Sequence, residues 1–127
     1  MPSRPHRAIL VAFALLSAAA LAASCSKKDS TSPGPTFSFT FPQTGTSNKL
    51  VFTDVGSWGY HCIPHGASGM TGTVVVNASS ANDSVVVQVG PSNSLSFSPN
   101  SVSIKPGGYV RWVNASTLNF NHTVTRP

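Results

Sequence analysis

The sequence predicts an all-β protein, an antiparallel Greek-key β-sandwich, on three observations. Helix signals nearly vanish after an N-terminal leader, short alternating or β-branched runs replace them, and clusters of Gly, Pro, Asn, Asp and Ser separate the runs. About nine such runs in the roughly ninety residues that follow the leader and its tether suffice for one small sandwich and not for two domains.

The leader is basic at its head, with Arg4 and Arg7, and then apolar and uncharged from Ala8 to Ala23. That run is too short and too lightly flanked for a comfortable membrane span, and it has the form of a secretory signal. Leu21-Ala22-Ala23-Ser24-Cys25 resembles a bacterial lipobox, with Ala22 where Leu is usual. The resemblance implies an exported chain, periplasmic or at the cell surface, lipidated on Cys25 and so anchored to a bacterial membrane. Ordinary signal cleavage near Ala23 is the alternative. Residues 1–24 are read as signal peptide, 25–35 as a flexible tether of small, polar and proline residues, and 36–127 as the folded domain.

Charge excludes one class of partner. Charged residues are only 9% of the chain, two of the arginines belong to the leader, and Lys27 and Lys28 belong to the tether. No basic stripe remains to bind nucleic acid.

The expected strands are Phe37 to Phe41, Leu50 to Thr53, Ser57 to Cys62, Thr71 to Val76, Ser84 to Val89, Ser94 to Phe97, Ser101 to Ile104, Tyr109 to Val113 and Asn121 to Thr125. Turns at Asp54-Val55-Gly56, Ser79 to Asp83, Gly90 to Asn93 and Lys105 to Gly108 divide them. Period-two alternation places Phe37, Phe39 and Phe41 on one face, Val102 with Ile104, and Val110 with Trp112, as the expected core. By the same parity Trp58, Tyr60 and Cys62 share a face and His61 points the other way, so His61 is not counted as a ligand.

The stretch Gly59 to Met70 carries the chemistry. With Cys25 assigned to the signal or the lipid, Cys62 is a lone thiol in an exported chain, where cysteines normally pair. Metal ligation accounts for it, and a buried inert thiol is the alternative. His65 and Met70 crowd the same loop, and thiolate, imidazole and thioether together select copper. Pro64 stiffens the loop, while Gly66, Gly69 and Gly72 let it turn back into the next strand.

The spacing Cys-x2-His-x4-Met resembles the ligand loop of plastocyanin and related small blue copper proteins, the cupredoxins. Thr71 to Val76 resembles the closing strand of such a domain, and the stretch Leu95 to Asn114 resembles its opening strands. The second family histidine is matched by His122 in Asn121-His122-Thr123-Val124. The resemblance implies one type 1 copper ion, with Cys62 as thiolate, His65 and His122 as equatorial imidazoles and Met70 as weak axial ligand. It also implies that the main-chain amide of Thr123 donates towards the Cys62 sulfur. The Thr123 hydroxyl and Asn121 are candidates to tie the loops together.

One feature departs from the family: its lone histidine precedes the Cys-His-Met loop, whereas His122 follows it. A circularly permuted domain, the tail of one domain joined to the head of another, and a truncated reading frame all fit that order, and the presence of every expected ligand once favours a single domain with permuted strand order. In the permuted reading Asn77 to Ser84 reverses the chain, so that the strand from Val85 runs back towards the metal end, and Phe37 to Ser47 has no family counterpart. A monomer and a strand-exchanged dimer use the same residues.

The function expected is a type 1 copper electron-transfer protein, not an enzyme, with a redox protein partner that the sequence does not identify. The small, mostly apolar residues around His65 suit a brief docking contact with it, and a tight turn is the alternative reason for them. A copper carrier or storage protein is the alternative, as is a truncated cupredoxin fragment acting as a structural or interaction module. Three histidines after the leader are too few for a multicopper oxidase, one loop cysteine is too few for a dinuclear copper site, and thioether suits zinc poorly. A Cys62/His65 nucleophilic pair would need a third, orienting group.

Overall fold

A computed structural model describes residues 33–118 and 120–127. The signal 1–24, Cys25 and the tether up to residue 32 lie outside the described residues. Nine strands follow: β1 (Phe37–Phe41), β2 (Ser47–Phe52), β3 (Gly56–His61), β4 (Thr71–Val76), β5 (Ser84–Val89), β6 (Phe97–Ser98), β7 (Ser101–Ile104), β8 (Gly108–Asn114) and β9 (His122–Arg126). They form two sheets, ordered β1-β9-β3-β4-β7 and β2-β8-β5-β6. Most start within a residue or two of the expected positions, because alternation and turn residues specify short strands strongly.

The sandwich is present, but its sheets are mixed where the sequence reading expected antiparallel pairing throughout. β4 pairs with β7, and β5 with β8, in parallel. The reason lies in the crossovers. β4 to β5 and β7 to β8 both pass from the first sheet to the second, and the two connections lie side by side. The Asn77 N–H donates to the Ile104 carbonyl at 3.0 Å, and the Lys105 N–H to the Asn82 carbonyl at 2.9 Å. Two neighbouring strands that leave for the same crossover must run the same way. The Lys105–Asp83 ion pair, 3.2 Å, lies across these connections and is largely exposed, so it adds little.

The expected parity holds across the core. Phe37, Phe41, Val102, Ile104, Val110 and Trp112 are buried, and Phe39, between the two buried phenylalanines of β1, is half-buried. Trp112 is the hub, with ring centroids of Tyr60, Phe37, Phe39 and Phe52 at 5.4 to 6.4 Å. Such aromatic pairs contribute about 0.5–1.5 kcal/mol each beyond the area they bury.

Phe37 to Ser47, which has no counterpart in the family resemblance, finds its partners in both sheets. β1 runs antiparallel to β9 with Phe41 opposite His122 and Phe37 opposite Arg126, and β2 pairs with β8. This register gives the domain two distinct poles. Arg126 marks one, stacking over Trp58 at 5.3 Å and donating to the carbonyls of Gly59 and Pro33. His122 marks the other, together with the end of β3, the start of β4 and the end of β5.

Candidate metal centre

β3 carries Cys62 to this second pole just past its last residue, and strand parity turns the thiol inward beside Trp58 and Tyr60. The chain then folds tightly on itself. The Cys62 carbonyl accepts from the N–H groups of His65 (3.2 Å) and Gly66 (2.6 Å), and the His65 carbonyl accepts from Ser68 (3.0 Å) and Met70 (3.2 Å). Gly69 takes φ +89°, a left-handed conformation that side chains rarely adopt. The loop closes where the Cys62 N–H donates to the Met70 carbonyl at 3.0 Å, and Met70 is fully buried beneath it.

His122, the first residue of β9, comes from the other side. Its Nδ1 lies 3.9 Å from the Cys62 Sγ, and the His65 Nδ1 lies 3.4 Å from it. The ligating atoms of Cys62, His65 and His122 all fall within 4.8 Å of one another. Cys62 and His122 are fully buried, and His65 is half-buried with its ring 5.1 Å from that of His122. Burial, and then the nearby His65, lower the His122 pKa, which favours the neutral imidazole that a metal needs.

Thr123 links the two arms. Its main-chain N–H donates to the Cys62 Sγ at 3.3 Å, and its hydroxyl accepts from the Ile63 N–H at 2.7 Å. Asn121 is exposed and, among the described residues, no hydrogen bond joins its side chain to the ligand loop, since the residue before an inward His122 faces out. His61 stands apart from the cluster. It packs over Gly66 and lines an outer groove of about 650 Å³ with Gly59, Thr71 and Thr73.

Sequence reasoning missed the opposite wall of the site. β5 returns to this pole, as the chain reversal after Asn77 requires, and is followed by Gly90, whose α-carbon faces the His122 ring. Ser116 is fully buried there, and the Phe120 ring lies about 6 Å from both histidines, at 6.1 Å from His65 and 6.0 Å from His122. The Gly-Pro-Ser-Asn run was legible as a turn, but nothing in the sequence alone placed it against a ligand.

The sequence pattern of the copper binding proteins of the plastocyanin/azurin family matches residues 5–77. The chain belongs to this family. No curated protein and no solved structure gives a match. The matched stretch includes the Cys62 to Met70 loop and ends just after β4, so His122 lies outside it, and the fold brings that residue to the site within one chain.

The residues present fit the family's metal. Bonds of the length zinc makes to sulfur and nitrogen, about 2.3 and 2.0 Å, set 120° apart, put the two donors about 3.7 Å from each other, a scale that suits copper as well. The two separations here, 3.4 and 3.9 Å, bracket that value. A buried thiolate with two imidazoles is a copper donor set, and this copper-binding protein takes one ion there.

Proposed function

We propose that the chain is a type 1 copper electron carrier, in which Cys62, His65 and His122 would hold the ion and the Met70 thioether would be its fourth, weak ligand. The observation that carries this reading is the preformed cluster, with both imidazole Nδ1 atoms turned to one buried sulfur. Copper supplies a one-electron couple. The protein supplies a ligand frame that suits both oxidation states and does not have to move between them. Three features support such rigidity: the closed 62–70 loop, the Thr123 ties and the strand pairing of Phe41 with His122.

The exposed surface fits carriage better than catalysis. His65 is the half-exposed ligand, and exposed Ile63, Pro64, Ala67 and Leu118 lie in the segments around it, uncharged and mostly apolar. A weak, brief contact with a redox protein needs only a small patch of this kind. We read the leader as export and Cys25 as a lipid anchor. The chain enters β1 at the Arg126 pole, so a tether from Cys25 would join the domain at the end opposite the copper site.

Voltammetry of the copper-loaded chain tests the assignment. A reversible one-electron wave with the metal retained through repeated cycles is expected. Release of copper on reduction would favour the storage or delivery reading instead.

A further inference from the structure

We infer that Asn93, acting through Ser116 and Gly90, is a positioning residue for the His122 imidazole. The inference rests on His122 being a copper ligand and adds how it is held. The buried polar residues described are Asn114, Ser116 and His122, and all three belong to one corner. The His122 Nδ1 faces Cys62, while its Nε2 is buried and meets no protein hydrogen-bond partner. A ligating histidine is normally oriented by what its other nitrogen donates to. Here the orienting element is a wall: a Cβ placed on Gly90 would lie 2.6 Å from that Nε2 and 3.1 Å from the Ser116 Cβ.

The wall is built at some conformational cost. Gly90, Ser92 and Asn93 all take left-handed φ values, of 63°, 53° and 62°. Strained non-glycine residues persist only where the surroundings hold them. What holds these is the Asn93 Oδ1, which accepts from the main-chain N–H groups of Thr117 (2.7 Å) and Leu118 (3.1 Å); the Ser116 and Thr117 hydroxyls also lie 3.1 Å from it, the Ser116 hydroxyl having the Leu118 carbonyl at 3.2 Å as its other acceptor. From the other side the Asn114 Oδ1 accepts from the Ser116 N–H at 3.0 Å, and the Thr44 hydroxyl donates to the Ser116 carbonyl. The Ala115 N–H donates to the Val89 carbonyl at 2.9 Å, joining the segment to the end of β5. One side-chain oxygen thus fixes the segment leading into β9 against the turn that faces the ligand.

Asn93→Gly separates the side chain from the backbone, because glycine accepts the left-handed φ without strain. Asn93→Asp keeps an acceptor oxygen. The full chain carrying each change is titrated with copper(II), following affinity, the position and relative intensity of the thiolate absorption bands, and the thermal midpoint of the metal-free form. Asn93→Gly is expected to weaken copper binding about 10-fold or more and to redistribute the bands, with Asn93→Asp close to the parent. Gly90→Ala should act in the same direction more strongly. Parent-like affinity and bands in a folded Asn93→Gly chain would overturn the inference while leaving the site assignment intact. His122→Gly serves as the control, and an unchanged spectrum there would overturn both.

Discussion

The Thr123 main-chain N–H donates to the Cys62 sulfur at 3.3 Å although the residues lie 61 apart in sequence, and the Thr123 hydroxyl takes up the Ile63 N–H beside it at 2.7 Å. One residue therefore performs two separable tasks: its amide tempers the thiolate, and its side chain fastens the ligand loop to β9. A hydrogen bond to a coordinating sulfur withdraws electron density, so its strength bears on the redox potential.

Thr123→Val divides these tasks. The amide and the side-chain shape remain, while the Ile63 N–H loses its acceptor. The metal-free chain should lose about 1 kcal/mol, the usual worth of one such bond, as read by urea denaturation. The copper-loaded chain should keep its thiolate absorption.

The His122 pKa gives the acid dependence. Unfolded, a histidine titrates near 6.5, and burial lowers the folded value below that. Above about pH 6.5 both states are neutral and the group contributes nothing to the pH dependence. As pH falls below that value the unfolded state takes up the proton first, so the metal-free fold loses stability until the folded value is passed. Urea midpoints measured from pH 8 down to 5 should decline, and His122→Gln should flatten the decline. Copper affinity should fall over the same acid range, because thiol and imidazole must be deprotonated to bind.

Tyr60 offers an independent test in the core. Burial pushes its pKa up to about 12, and the Trp112 indole trims that rise but stays outside hydrogen-bond geometry with the phenol oxygen. Between pH 10 and about 12 the unfolded state has lost a proton that the folded state keeps, so stability should fall with rising pH there. Tyr60→Phe should remove that fall and cost nothing at pH 7, since a buried hydroxyl without a partner carries a penalty of about 1–3 kcal/mol. Gly72→Ala should cost about 1–3 kcal/mol or more by overpacking. Its Cβ would lie 2.3 Å from the Tyr60 Cζ and 2.7 Å from its Cε2, so the phenylalanine ring should not relieve it.

Met70→Leu keeps the volume beneath the loop and removes the thioether. If the sulfur is the axial donor, the intense thiolate band should persist while the reduction potential rises, because the more highly charged oxidised state loses more from a missing donor. An unchanged potential would leave Met70 as packing alone.

Much of this was legible in the sequence for a physical reason. Alternation in short strands fixes which way each side chain points, so Trp58, Tyr60 and Cys62 were correctly placed inward with His61 outward. The parallel pairs were not legible, because β4 and β7 become neighbours only when two crossovers 28 residues apart lie together, as the bond from Asn77 to Ile104 and that from Lys105 to Asn82 require. The contact of Gly90 with His122 is of the same kind: a turn signal says that the chain bends, not what it bends against.

A visible absorption titration with copper(II), with size-exclusion chromatography on the same sample, decides whether Cys62, His65 and His122 of one chain form a single copper site. An intense thiolate-to-copper band is expected that saturates at one ion per chain, bleaches with reductant and is lost in Cys62→Ala and in His122→Ala, in a species that elutes as a monomer. A band indifferent to His122→Ala, or none at all, would contradict such a site. A complete band only in a dimer would move the ligand from its own chain to the partner's.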